Sequence, residues 1–273
     1  MTTNKKTYFL HPHIGIGDII WNIPLINYLS KDSNVELVCM SNNKKNIEYF
    51  FLDNKNVSLF LVEKNDDFLV RRGCSIEKFN KITENKIVLL SGNNKMPYNS
   101  CDVTTFPFFF YTDLNYDINI LKTHLFLRNT DKAFQLYNKI KNIDYIFANN
   151  LTSGGILFDI KDACLLNNIN INETFVCCSN QNIYNKEHKF YELAESFIFN
   201  KNSLFILDYK LIIENAIKIF TTDSAMFCFI VQLKLKSTKN IMFGRQTYLN
   251  RRFKWNDIFN FYNLNFEIKK GKF

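Results

Sequence analysis

Proline and glycine are scarce in this chain, four and eight in 273 residues, which excludes collagen-like and proline-rich low-complexity architectures. No Ser/Gly-rich linker interrupts the sequence, and no fixed-period repeat is visible. No apolar run approaches the roughly 20 residues needed to span a bilayer, so no transmembrane segment is expected. The apolar stretch ahead of His11-Pro12-His13 is too short for a signal-peptide core, and a cytoplasmic location is the expectation. The seven cysteines include no Cys-x-x-Cys pair, which argues against a structural zinc site. Cys39 and Cys228 sit in apolar runs, where a free cysteine behaves as a small buried hydrophobe and a reducing compartment suits it. His-Glu-x-x-His and Gly-x-Ser-x-Gly are both absent, leaving protease and hydrolase readings without support.

What is present is globular material. Hydrophobic residues make up 47% and charged residues 22% of the chain, ample for a core. The formal net charge of +8 permits an anionic partner. Part of that excess lies in Lys5-Lys6 and Lys269-Lys270-Gly271-Lys272, which reads as solvated ends rather than a nucleic-acid footprint. Short apolar runs alternate with amphipathic stretches, the rhythm of βα units feeding a parallel sheet. Strands are expected at Thr7–Leu10, Val35–Met40, Val57–Val62 and Lys86–Leu90, with helices at Ile19–Ser30, Lys44–Leu52 and Ser75–Thr83. An irregular aromatic section, 93–127, precedes a helix at Thr130–Ile143. A second series of strands follows at Tyr145–Ala148, Thr174–Cys178, Leu204–Leu207, Ile217–Thr221 and Asn240–Phe243, with helices at Ile156–Asn167, Leu207–Ala216 and Ser224–Leu233. The expected fold is α/β with two Rossmann-like domains, 1–135 and 136–273, and a terminal helix over Phe253–Tyr262 packing back on the first.

Two constellations carry chemistry. After the first strand comes His13-Ile14-Gly15-Ile16-Gly17-Asp18; glycines at a strand-to-helix turn admit close approach of a ligand, and the helix that follows presents free N–H groups. Ile20 stands where a dinucleotide fingerprint requires its third glycine, and no Gly-Lys-Ser/Thr follows, so nicotinamide-cofactor and phosphate-loop readings fail. On its own Asp18 is a capping residue, and the helix should kink or restart at Pro24, leaving a free carbonyl near Ile20. The second constellation, Thr222-Asp223-Ser224-Ala225, joins an apolar strand to an apolar helix. It reads either as a plain cap or as an anion site at the carboxyl end of a parallel sheet. Asn150, Thr152, Ser153 and Gly154 form a turn that is a capped turn or a phosphate-facing loop, while Lys201 and Arg128 are candidate cations.

Gly-x-Gly-Asp with a proline six positions after the aspartate, followed far downstream by the Thr-Asp-Ser loop, resembles the heptosyltransferase-like, lipopolysaccharide-type glycosyltransferases. That resemblance implies the GT-B fold with its two domains facing a central cleft. It implies Asp18 as general base and an acceptor loop of His13, Gly15, Ile16 and Gly17, with Arg128 near it. Donor phosphates would be held by Asn150, Thr152, Ser153, Gly154, Lys201, Thr222, Asp223, Ser224 and Ala225. The expected substrates are a nucleotide-diphosphate sugar and a glycan acceptor, with inversion at the anomeric carbon and neither cofactor nor nucleic-acid partner. No Asp-x-Asp occurs, so metal-independent transfer is expected. Two alternatives stay open: a polysaccharide pyruvyltransferase-like enzyme, and a non-catalytic nucleotide- or carbohydrate-binding protein of the same fold.

Overall fold

The computed structural model describes residues 5–12, 15–63, 76–91, 107–245 and 255–271. The chain divides into two compact units, Met1–Leu127 and Arg128–Phe273, each built on an all-parallel sheet. No helix among the described residues is long and apolar enough to cross a membrane.

In the first unit β1 (Thr7–Leu10) leads to α1 (Ile16–Leu29), β2 (Asn34–Met40), α2 (Lys44–Phe50), β3 (Val57–Val62), α3 (Ile76–Thr83) and β4 (Ile87–Leu89). The order across the sheet is β3-β2-β1-β4. The chain winds outward from β1 in one direction and then returns to its other side, so strand order reverses between β1 and β4. Ligands of open α/β sheets bind outside the carboxyl ends of the strands at such a reversal. Phe9, Val38 and Val62 pack one apolar cluster on this sheet. Two short helices, α4 (Phe109–Thr112) and α5 (Ile120–Thr123), occupy part of the section expected to be irregular.

The helix does not restart at Pro24. Helix α1 continues through it as one element, and the buried Tyr111 hydroxyl donates to the Trp21 carbonyl at 2.7 Å. The neighbouring Asn22 is fully buried. Its Nδ2 donates to the Asp18 carbonyl at 2.8 Å and its Oδ1 accepts from the Ser91 hydroxyl at 2.9 Å. Ser91 follows β4, so this one amide joins the first turns of α1 to the far side of the strand reversal.

The second unit opens with α6 (Asp131–Asn138), capped by Thr130, whose hydroxyl accepts from the Ala133 N–H and donates to buried Asp208. That buried bond ties α6 to the second unit, whose first residue is Arg128. The sheet strands are β5 (Tyr145–Ala148), β8 (Phe175–Cys178), β9 (Lys218–Thr222), β10 (Asn240–Gly244) and β11 (Phe266–Lys270), in the order β11-β10-β9-β5-β8. Here the reversal lies between β5 and β9. Between β5 and β8 come a two-stranded hairpin, β6 (Leu151–Thr152) with β7 (Gly155–Ile156), and α7 (Ile160–Leu165). Helices α8 (Tyr191–Glu195), α9 (Lys210–Asn215), α10 (Ala225–Ile230) and α11 (Trp255–Tyr262) complete the unit.

Three expected elements differ. The strand at Leu204–Leu207 is a buried 3-10 turn, Ile206–Tyr209, because Asp208 Oδ2 accepts from the Phe205 N–H at 2.8 Å and closes it. The helix expected from Ile156 starts only at Ile160, where Asp159 caps it. Lys269 and Lys270 are not a loose end: they lie in β11, the edge strand that pairs with β10, and lysines on an edge discourage further strand pairing. Trp255 and Phe259 of α11 pack edge-on against Phe227 of α10, which places these two rings in the second unit's core.

Truncating Asn22 to Ala removes two buried hydrogen bonds and should cost about 1–3 kcal/mol. Urea unfolding of Asn22→Ala, Ser91→Ala and the double variant tests this, and the double variant should lose less than the sum of the two because the groups share one bond.

Candidate functional site

Both constellations picked out by sequence fall at a strand reversal, the first at the end of β1 and the second at the end of β9. In the first unit Gly15, not Asp18, is the N-cap of α1, in extended backbone. Ile16, Gly17 and Asp18 form the first helical turn, and Asp18 is half-buried. A Cβ at Gly15 would stand 2.7 Å from Asp18 Oδ2, the movable end of that side chain, so the carboxylate lies folded back towards the N-cap. His13 lies outside the described residues.

In the second unit the end of β5 is the organising point. The Asn149 N–H donates to the Phe220 carbonyl at 2.9 Å, extending the β5–β9 ladder one residue past the strand. Its Nδ2 donates to the Ser179 hydroxyl at 2.9 Å, and its Oδ1 accepts from the Ser224 hydroxyl at 3.1 Å. Strand ends β5, β8 and β9 are therefore tied by one amide. Ser224 also caps α10, accepting from the Phe227 N–H at 3.5 Å. Asn150 beside it is fully buried, donating to the Phe158 carbonyl and accepting from Asn180 Nδ2, both bonds within the fold.

Asp223 is the acidic group of this end. Its Oδ2 accepts from Arg245 Nε at 3.0 Å, its carbonyl from Arg245 Nη2 at 3.3 Å, and its Oδ1 from the Thr222 hydroxyl at 3.2 Å. Burial lifts the Asp223 carboxyl above the usual carboxylate range, and the Arg245 guanidinium opposes that rise. Arg245 follows the end of β10, so four strand ends contribute to one polar cluster. Ala225 opens α10.

Other expected donor residues are used differently. Thr152 Oγ1 accepts from the Gly154 N–H and donates to the Gly155 carbonyl, both at 3.0 Å, so its hydroxyl staples the β6–β7 hairpin. Ser153 and Gly154 are exposed at the hairpin tip, and Gly155 takes a φ of 111° that favours glycine. Lys201 is ion-paired with Glu195, which also accepts from Asn182 Nδ2. That pairing holds the Glu195 carboxyl below and the Lys201 ammonium above their ordinary ranges. Arg128, half-buried, is the first residue of the second unit.

Sequence reasoning missed Asn149 as the tie, Ser179 as its partner and Arg245 as the cation. A signal existed for Arg245: it stands directly after the apolar run Ile241-Met242-Phe243-Gly244, at the carboxyl end of a buried strand. Comparison with known protein families, with curated proteins and with solved structures found no match.

Replacing Arg245 by Gln strips Asp223 of its ion partner. Breaking a buried pair costs about 3–5 kcal/mol; here the Asp223 and Arg245 side chains are 5% and 23% exposed, so about 2–3 kcal/mol is expected near neutral pH. The lone carboxyl titrates still higher in the folded variant, so its ionisation opposes folding as pH rises through that value. The deficit should be largest near neutral pH and shrink as acid protonates Asp223. Urea unfolding of wild type and Arg245→Gln at about pH 7.5 and about pH 5 reads both.

Proposed function

We propose that the chain is a metal-independent glycosyltransferase of the GT-B type, moving a sugar from a nucleotide-diphosphate sugar to a hydroxyl of a glycan acceptor. The observation that carries this reading is the convergence of Asn149, Ser179, Ser224 and the Asp223–Arg245 pair on the strand reversal of the second sheet. Open parallel sheets take nucleotides at that place. The strand order of the first sheet, with Asp18 and its glycines at the corresponding reversal, supports an acceptor loop there. The local resemblance to heptosyltransferase-like enzymes supplies the reaction type.

In the proposed reaction the acceptor hydroxyl oxygen attacks the anomeric carbon while the Asp18 carboxylate takes its proton. The bond from that carbon to the diphosphate oxygen breaks, and the diphosphate leaves with the electron pair, giving inversion in one displacement. The Arg245 guanidinium is the group proposed to offset the charge on the leaving diphosphate, with Ser224 fixing the strand end beside it. Fixed donors aimed at developing charge contribute a few kcal/mol each. Ser153, exposed at the hairpin tip, is proposed to contact the donor as well.

A thermal-shift panel of nucleotide sugars tests the donor site: a bound donor at about 100 times its Kd adds about 2.7 kcal/mol of stability, and the shift should exceed that from the free sugar. Absence of a shift with every nucleotide sugar and nucleoside diphosphate tried would count against the reading. For the acceptor loop, Asp18→Asn should lower the transfer rate by about 10²–10⁴-fold and leave donor Kd unchanged. Because Gly15 is the cap, loss of the Asp18 charge costs only about 0.3–1 kcal/mol of helix-end stabilisation, so the variant should stay folded. Transfer at the wild-type rate would remove Asp18 from the mechanism.

A further inference from the structure

A second built surface lies in the first unit, at the other end of α1 from Asp18. Helix α1 has 14 residues, a span of about 20 Å, and its last turn carries Tyr28, with Lys31 just beyond. Tyr28 meets Tyr116 edge-to-face at 6.0 Å and His124 edge-to-face at 5.0 Å, and His124 meets Phe126 in the same way at 6.2 Å. These rings form one continuous line, with Tyr28 40% and Phe126 61% exposed. The Asn27 side chain donates to the His124 carbonyl at 3.0 Å and fixes the line to α1.

The polar partners in this cluster settle its charge. Lys31 Nζ lies 2.9 Å from His124 Nε2 and 6.0 Å from the Phe126 ring centre. An ammonium can only donate, so Nε2 accepts and the imidazole proton sits on Nδ1. That proton goes to Thr123 Oγ1 at 2.9 Å, whose own hydroxyl donates to the Asn119 carbonyl at 2.9 Å. The chain of donors is consistent only with neutral His124. Among the described residues Lys31 forms no ion pair. An exposed ammonium without a carboxylate, set beside a wall of ring faces and edges, offers one contact to an anion and another to the C–H face of a sugar.

We propose that Lys31, His124 and the Tyr28–Phe126 wall form a binding site for an anionic saccharide, its carboxylate seated against Lys31 and its ring against the aromatic wall. Charge complementarity selects the acidic sugar over a neutral one. The site lies at the opposite end of α1 from Asp18, and binding there does not depend on whether the chain transfers a sugar. The titratable groups facing His124 are Lys31 and Tyr28, and burial together with the Lys31 charge lowers the His124 pKa. An anion beside both groups favours the imidazolium, so binding takes up a proton, and affinity rises as pH falls from about 8 towards about 6.

The test is an NMR titration with trigalacturonate, maltotriose and inorganic phosphate. Trigalacturonate should shift the Tyr28, His124 and Phe126 ring resonances and bind about tenfold or more tightly than either of the other two. Lys31→Met should weaken it by about tenfold or more, Lys31→Arg should restore binding, and Phe126→Ala should weaken it without altering the fold. Equal affinity for maltotriose or for phosphate would overturn the proposal, as would unchanged binding in Lys31→Met or an absence of ring shifts at tens of millimolar probe. Failure here leaves the strand-end reading standing, because that reading is decided by nucleotide-sugar binding and this probe carries no nucleotide.

Discussion

The arrangement of the second unit depends on the three hydrogen bonds of Asn149. Where strand order reverses in a parallel sheet, neighbouring strands send their chains off in different directions, and their last backbone and side-chain polar groups lose ladder partners together. Buried polar groups left in that state are costly. Asn149 answers with its N–H on Phe220, its Nδ2 on Ser179 and its Oδ1 under the Ser224 hydroxyl. Ser179 carries the tie further, its N–H bonded to the Ala148 carbonyl and its own carbonyl accepting from Phe199. The first unit meets the same demand with the same residue type: Asn22 joins the Asp18 carbonyl of α1 to Ser91 after β4. A primary amide suits both positions because it donates and accepts at once across a short span.

These ties give the strand ends fixed geometry before anything binds. The Ser224 hydroxyl is committed twice, to Asn149 and to the Phe227 N–H, and Thr152 is committed twice within its hairpin. The charge at this end comes from Arg245 and Asp223, and burial works against ionised Asp223 while Arg245 works for it. Such a pair holds a cation in one orientation beside the strand ends, which is the kind of support a preorganised anion site needs.

Much of this was legible in the sequence, and the failures have physical causes. The strand at Val57–Val62 and the one at Tyr145–Ala148 coincide with the structure residue for residue, because apolar runs bounded by polar turns leave few alternatives. The Leu204–Leu207 run is as apolar as a strand, but a carboxylate directly after it, Asp208, closes a turn; burial alone does not distinguish the two. The helix expected at Ile156 was delayed by Gly155, whose positive φ closes a hairpin first. Strand β11 was missed because Phe-Glu-Ile-Lys-Lys alternates weakly and ends in lysines, which suit an edge as well as a tail. In the candidate site, Asp18 and Ser224 stand out from local pattern, whereas Asn149, Ser179 and Arg245 are brought together by sheet order. Lys201 shows the converse: a cation near a loop in sequence is held by Glu195 in space.

Under the proposed function, ligand recognition is concentrated where β5, β8 and β9 end. Hydrogen exchange of backbone amides, measured with and without the nucleotide sugar that gives the largest thermal shift, tests it most directly. Slowed exchange is expected at Asn149, Asn150, Ser179, Asn180, Asp223, Ser224 and Arg245. Slowed exchange confined to segments away from these strand ends, with those seven amides unchanged under saturating ligand, would contradict it.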